Sequence, residues 1–237
     1  MLATTRHGAV SVLELQRSER RNALNLELCR AIDDAAHAEV HAGARVLVVT
    51  GEGSAFCAGA DLNGVYGNEF LEALYGMLHG LTKLPVPLVA AVNGPAIGAG
   101  TQLALACDLR VADTSAQFAV PTARNGMAVD AWTIRTLATI AGGGPARRLM
   151  LSAETFDQTG ALACGLADRP GTLDDAMRWA EEIATLAPLT LAHNKLVLND
   201  GTKAEIDASF AACWASADVR EAAAARAEKR TPVFTGR

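Results

Sequence analysis

Two glycine-bearing loops, each following an apolar run, have the composition of a site that holds negative charge on backbone amides. The second of them is Gly94-Pro95-Ala96-Ile97-Gly98-Ala99-Gly100-Thr101-Gln102, set between the apolar run Leu88–Val92 and a helical start at Leu103-Ala104-Leu105-Ala106. Glycine permits a sharp turn there, and a helix N-terminus offers free N–H donors and a positive dipole end, which suits a phosphate or a developing oxyanion. The first, Thr50 to Leu62, must turn as tightly. Asp130, within Ala128-Val129-Asp130-Ala131-Trp132, stands in an apolar run that would favour it as a base at neutral pH, although an aspartate before a helix is equally an N-cap. Trp132, with His79, Leu74 and Leu78, could line an apolar pocket, or simply pack the core.

No metal or redox chemistry is indicated. Cys29, Cys57, Cys107, Cys164 and Cys213 form no CxxC pair and have no histidine at ligand spacing, so buried thiols in a reducing compartment are expected. His7, His37, His41 and His193 are scattered. A dinucleotide fingerprint fails on spacing, because Gly94, Gly98 and Gly100 do not give GxGxxG.

The elements that must position these loops come from a chain of 237 residues, 50% hydrophobic and 20% charged, long enough to bury a substantial core. Its formal charge of −5 argues against a nucleic-acid surface. Apolar runs are broken well short of the roughly 18 residues a membrane span needs, and Met1–His7 lacks a signal-peptide layout, so a cytoplasmic protein is expected.

Periodicity predicts strands over Ala9–Leu15, Arg45–Val49, Leu88–Val92, Asp108–Ala112 and Gln117–Val120. Asn25 is the expected cap of a helix with the stripe Leu28, Ile32, Ala35 and Ala36, leaving Asp33 and Asp34 solvated. An amphipathic helix follows over Asn68–Thr82, stopped by Pro85-Val86-Pro87. Helices are expected near Ala131–Ile140 and Pro145–Leu151. Beyond Asp168 the chain turns helical, with helices over Leu173–Leu186, Leu191–Leu198, Ala204–Trp214 and Val219–Glu228. No fixed-period repeat is visible.

Four stretches in order carry a resemblance: Arg21-Asn22-Ala23-Leu24, Ser54–Leu62, Asn93–Gly100 closed by Ala106-Cys107-Asp108, and Glu228-Lys229-Arg230-Thr231-Pro232. Together they resemble the enoyl-CoA hydratase/isomerase (crotonase) family over nearly the whole chain, with mycobacterial-type members nearest. The resemblance implies an α/β fold, the crotonase (ClpP-like) spiral of ββα units. Residues 1–185 would form the spiral core, and 186–237 a C-terminal helical region for oligomerisation and completion of the CoA site. It implies trimers or pairs of trimers, an acyl-CoA ligand with coenzyme A as part of it, and no tightly bound cofactor. By position, the N–H groups of Ala60 and Ala99 would polarise the thioester carbonyl. CoA would lie along Arg21, Ala23, Ala58, Ala60, Asp61 and Leu62, Trp132 would belong to the acyl pocket, and Lys229 would reach the phosphates of a neighbouring subunit. The family aromatic expected three residues before Lys229 is Arg226 here.

The same resemblance exposes departures. Hydratases of the family use two glutamates, and those positions hold Gln102 and Thr122. An amide and an alcohol have no accessible proton equilibrium near neutral pH, and losing a positioned acid–base group costs roughly 10²–10⁴-fold in rate. The expectation is an acyl-CoA or enoyl-CoA binder of fatty-acid metabolism with weak or absent hydratase activity. The alternative is an active isomerase or hydratase using Asp130, at the position resembling the acidic residue of dienoyl-CoA isomerases, or a water held by Gln102.

Overall fold

The structure, a computed structural model, describes residues 1–61 and 67–237. Strands are β1 (Leu2–His7), β2 (Val10–Leu15), β3 (Val46–Gly51), β4 (Leu88–Val92), β5 (Pro95–Ile97), β6 (Leu109–Ala112), β7 (Gln117–Ala119), β8 (Thr155–Asp157) and β9 (Arg169–Pro170). Helices are α1 (Leu26–His41), α2 (Asn68–Lys83), α3 (Ala99–Ala106), α4 (Ala131–Ala141), α5 (Gly143–Leu151), α6 (Gln158–Ala163), α7 (Leu173–Ala184), α8 (Pro188–Leu198), α9 (Lys203–Ala215) and α10 (Ala217–Glu228).

The larger sheet runs β1-β2-β3-β4-β6-β9 and is parallel from β2 onward, so both faces must be covered. Its residues divide by the two-residue period of a strand. Val10, Val12, Val46, Val48, Val89, Ala91 and Val111 point to one face, where Ala176, Ala180 and Ile183 of α7 meet them. Leu13, Leu15, Leu47, Val49, Leu88, Ala90 and Val92 point to the other, against Leu28, Ile32, Leu78 and Leu81 of α1 and α2 and the wholly buried α3.

The second sheet, β5-β7-β8, explains the expected spiral. It is extended by single parallel bridges between Cys57 and Ala96 and between Leu24 and Ala60. Each turn of chain thus gives a strand to the first sheet (β2, β3, β4, β6), an extended residue or strand to the second (Leu24, Cys57, β5, β7), and then a helix (α1 to α4). The repeat is one of structure, carried by segments too dissimilar to show a period in sequence.

Local details follow from residue chemistry. Asn25 caps α1, accepting from the Leu28 N–H at 2.9 Å. Asp33, expected in solvent, is instead half-buried beside Gly80, where a Cβ would come within 2.8 Å of its Oδ1. Burial there raises its carboxyl above the ordinary value. Of the five cysteines, Cys29, Cys57 and Cys107 are buried, whereas Cys164 and Cys213 are only partly covered, a correction to the expectation that all five are buried. No helix among the described residues is long and apolar enough to cross a membrane, and no His/Cys/Asp/Glu group among them could hold a metal.

Candidate functional site

The spiral brings the two glycine loops side by side. Cys57 donates its N–H to the Pro95 carbonyl at 3.1 Å and accepts from the Ile97 N–H at 3.0 Å, stitching the first loop to the second. On the other side, Leu24 donates to the Gly59 carbonyl and accepts from the Asp61 N–H, both at 2.7 Å. In a parallel ladder this pattern leaves the intervening residue unbonded to its opposite number, so the Ala60 N–H points away from Leu24. It finds no acceptor among the described residues, and neither does the N–H of Ala99, the first residue of α3. Each donor follows a glycine with positive φ, Gly59 at +117° and Gly98 at +55°. That backbone is strained for any side chain and is what turns the next peptide plane inward.

The residues around the first loop are held by groups that composition alone does not single out. Asn22, fully buried, accepts from the Arg17 N–H at 2.9 Å and donates through Nδ2 to the carbonyls of Glu52 and Ala55 at 2.9 and 2.8 Å. Arg17 donates to the Ala23 carbonyl at 2.8 Å and pairs with Asp61 at 2.7 Å. The Arg21 carbonyl accepts from the Ala58 N–H at 2.9 Å. Arg21, Ala23, Ala58, Ala60 and Asp61 are therefore brought together, with Arg17 beside them, while Leu62 lies outside the described residues. Lys229 is exposed at the end of α10 with φ +56° and does not line the pocket of this chain.

Between the loops and α2 lies a cavity of about 440 Å³, the size of a small-molecule pocket. Its apolar wall is Phe70, Leu71 and Leu74 of α2 with Ile97, Met127 and Val129. Its amide edge is Ala58, Gly59, Ala60, Gly98 and Ala99, and its polar side chains include Tyr75, Gln102, Thr122 and Asn125. No aspartate, glutamate or histidine lines it among the described residues. Cys57 is no nucleophile here, because complete burial pushes its thiol up to about 12.

Four expectations about this pocket are corrected. Leu78 is fully buried in the core and does not line the cavity. Trp132 does not line it either: it packs edge-on to His79, with ring centroids 5.3 Å apart, behind the wall. Nor is Asp130 in an apolar setting or on the cavity wall. It caps α4, accepting from the Thr133 N–H at 3.0 Å and the Thr133 hydroxyl at 2.6 Å, its other oxygen lies 2.9 Å from His79 Nε2, and its N–H donates to the Tyr75 hydroxyl at 3.2 Å. His79 is thus turned toward Asp130 and is not a wall residue.

With this geometry in place, the sequence profile of the enoyl-CoA hydratase/isomerase family matches residues 5–237. The chain belongs to that family. It is similar to the probable enoyl-CoA hydratase echA6 of Mycobacterium tuberculosis, with 47% identity over the full length of both chains. It is 33% identical to the 2,3-dehydroadipyl-CoA hydratase of Escherichia coli over 100% of this chain and 99% of that one. Among solved structures, a putative enoyl-CoA hydratase from Streptomyces coelicolor superposes with a TM-score of 0.91 at 30% identity, covering 100% of this chain and 94% of that one. The enoyl-CoA hydratase of Bacillus anthracis gives the same TM-score at 27% identity, covering 100% and 99%. The crotonase fold expected from the resemblance is therefore the fold of the chain, and acyl-CoA metabolism is the family's setting.

Proposed function

We propose that this crotonase-family protein binds fatty acyl-CoA or enoyl-CoA thioesters, with the carbonyl oxygen held by the Ala60 and Ala99 N–H groups, and hydrates enoyl-CoA weakly or not at all. The observation that carries it is a pocket with two unspent amides at one edge and no lining carboxylate or imidazole among the described residues. Amides fixed in advance polarise a carbonyl without reorganising. Hydration additionally needs a group that gives and takes a proton at the reacting carbons, and Gln102 and Thr122, in the positions where hydratases of the family carry glutamate, offer none. Arg21, Ala23, Ala58, Asp61 and Leu62 would follow the CoA moiety, and Lys229 would serve the site of a neighbouring copy.

That last role needs an oligomer, for which α9 provides a surface. None of its residues is buried in the single chain, and it exposes Phe210 and Trp214, 55% and 67% accessible, with ring centroids 6.3 Å apart. Copies would meet over this apolar face as trimers or pairs of trimers. A monomeric mass by light scattering at micromolar concentration would contradict this.

The amide pair is testable through Ala99→Pro. Proline is well tolerated at the first position of a helix, it replaces the N–H hydrogen by its ring Cδ, and the preceding Gly98 lacks the Cβ that usually clashes with a proline ring. Acyl-CoA affinity should fall at least about fivefold, the net worth of one hydrogen bond plus the bulk of the ring methylene at the carbonyl's place, while affinity for free CoA, which has no thioester carbonyl, stays constant. Equal loss for both ligands, or none for either, would refute the assignment.

A further inference from the structure

Among the described residues Gln102 is the one buried polar side chain on the cavity wall, and its orientation is decided two residues away. An ionised aspartate can only accept hydrogen bonds. Asp130 Oδ1 takes the hydroxyl hydrogen of Thr133 at 2.6 Å, the length of a charge-assisted bond, and Oδ2 is occupied by His79. Thr133 is wholly buried and has one hydroxyl hydrogen, so toward Gln102 its oxygen can only accept. The Gln102 group 2.8 Å from it must therefore be the amide nitrogen. That leaves Oε1, which has no partner among the described residues and is not a sealed, orphaned atom, as the end of the amide that borders the pocket.

We propose that Asp130, acting through Thr133, is a positioning residue that locks Gln102 with its carbonyl toward the ligand, so that the site selects thioesters carrying a hydroxyl on the first carbons of the acyl chain. The proposal rests on the thioester placement above. Gln102 follows Ala99 by three residues on α3, which puts it on the same face about 4.5 Å further along the helix axis. A hydroxyl close to a carbonyl held at Ala99 therefore meets Oε1 and donates to it. A saturated chain leaves Oε1 desolvated and unpaired, which costs affinity. A keto oxygen at the same carbon sets two acceptors against each other. Tyr75, whose oxygen accepts from the Asp130 N–H at 3.2 Å and which also lines the pocket, keeps its own hydrogen to give to the ligand hydroxyl.

The test compares Kd by calorimetry for 3-hydroxyoctanoyl-CoA (each enantiomer), octanoyl-CoA and 3-oxooctanoyl-CoA on the full-length protein. For one enantiomer the hydroxyacyl thioester should bind about three- to tenfold tighter than the saturated one, the worth of one hydrogen bond, and the oxo thioester weakest of the three. Thr133→Val should bring the hydroxyl-to-saturated ratio to about one, Thr133→Ser should keep it, and Asp130→Asn, which preserves the helix cap but lets the threonine hydroxyl point either way, should reduce it. A ratio near one in the wild-type protein, readable even if a variant misfolds, overturns the proposal while leaving thioester binding intact. A wild-type ratio that survives Thr133→Val overturns the positioning role. Failure of all three thioesters to bind overturns the site assignment itself.

Discussion

Placing two carboxylates in the pocket, Gln102→Glu together with Thr122→Glu, is expected to raise the rate of trans-2-enoyl-CoA hydration at least about a hundredfold over the wild-type protein, the low end of what a positioned acid–base group contributes. Both side chains already line the cavity whose edge carries the Ala60 and Ala99 amides, so on the proposed reading the change adds proton transfer beside the amide pair. Position 102 imposes a condition of its own. A glutamate there would compete with Asp130 for the single hydroxyl hydrogen of Thr133, and two carboxylates sharing one donor repel. The double variant should therefore gain further from Asp130→Asn. The measurement is the loss of enoyl-thioester absorbance at neutral pH. An unchanged rate in a folded double variant that still binds acyl-CoA would show that something other than two missing carboxylates limits this site.

Lys195→Met should lower stability by about 3 kcal/mol, the lower end of the cost of breaking a buried ion pair from one side, since Asp108 is partly open to solvent. Lys195 is the single buried residue of α8. Its ammonium donates to the carbonyls of Leu81 and Val86 at 3.2 and 3.0 Å and pairs with Asp108 at 2.8 Å. Asp108 in turn accepts from the Leu88 N–H at 2.8 Å. One charge thus joins the end of α2, the approach to β4, the start of β6 and the C-terminal helices. Methionine fills the volume but leaves the carboxylate without its cation and takes one donor from each of the two carbonyls. For a chain of this length the loss corresponds to roughly 6–12 °C in Tm. A melting temperature within a degree or two of wild type would mean the cluster carries little of the fold's stability.

The two loops and their strands were legible because their chemistry is local. Glycine at 59 and 98, an apolar run before each loop and a buried helix after the second are all properties of neighbouring residues. The same holds for Asn25, whose cap spans three positions. What escaped is set by distant partners. β1 carries Thr4, Thr5, Arg6 and His7, exposed on an edge strand whose only sheet partner among the described residues is β2, and so shows no buried period. β5 and β8 are three residues each and exist because they pair with β7. α8 inverts its pattern, exposing Leu198 and burying Lys195, since an acceptor cluster from residues 81, 86 and 108 waits beneath it.

The candidate site divides the same way. The resemblance pointed to Ala60, Ala99, Gln102 and Thr122, and all four are on the pocket wall. The side chains behind that wall could not be so assigned. His79, Asp130 and Trp132 looked like pocket residues one by one, yet His79 pairs with Asp130 across 51 positions of chain, Trp132 packs on His79, and none of the three is on the cavity wall. Asp130 near an apolar run is a catalytic candidate only until Thr133 and His79 are seen to occupy it.

Binding without hydration is the central claim, and it is tested most directly by a series of saturated acyl-CoA and trans-2-enoyl-CoA thioesters of increasing chain length, each scored in parallel for affinity and for turnover on the same protein. The expected result is affinity of about micromolar or better for at least one length, with no hydration of the enoyl thioester at any length. Robust turnover at any length, with the wild-type Gln102 and Thr122 in place, would contradict it.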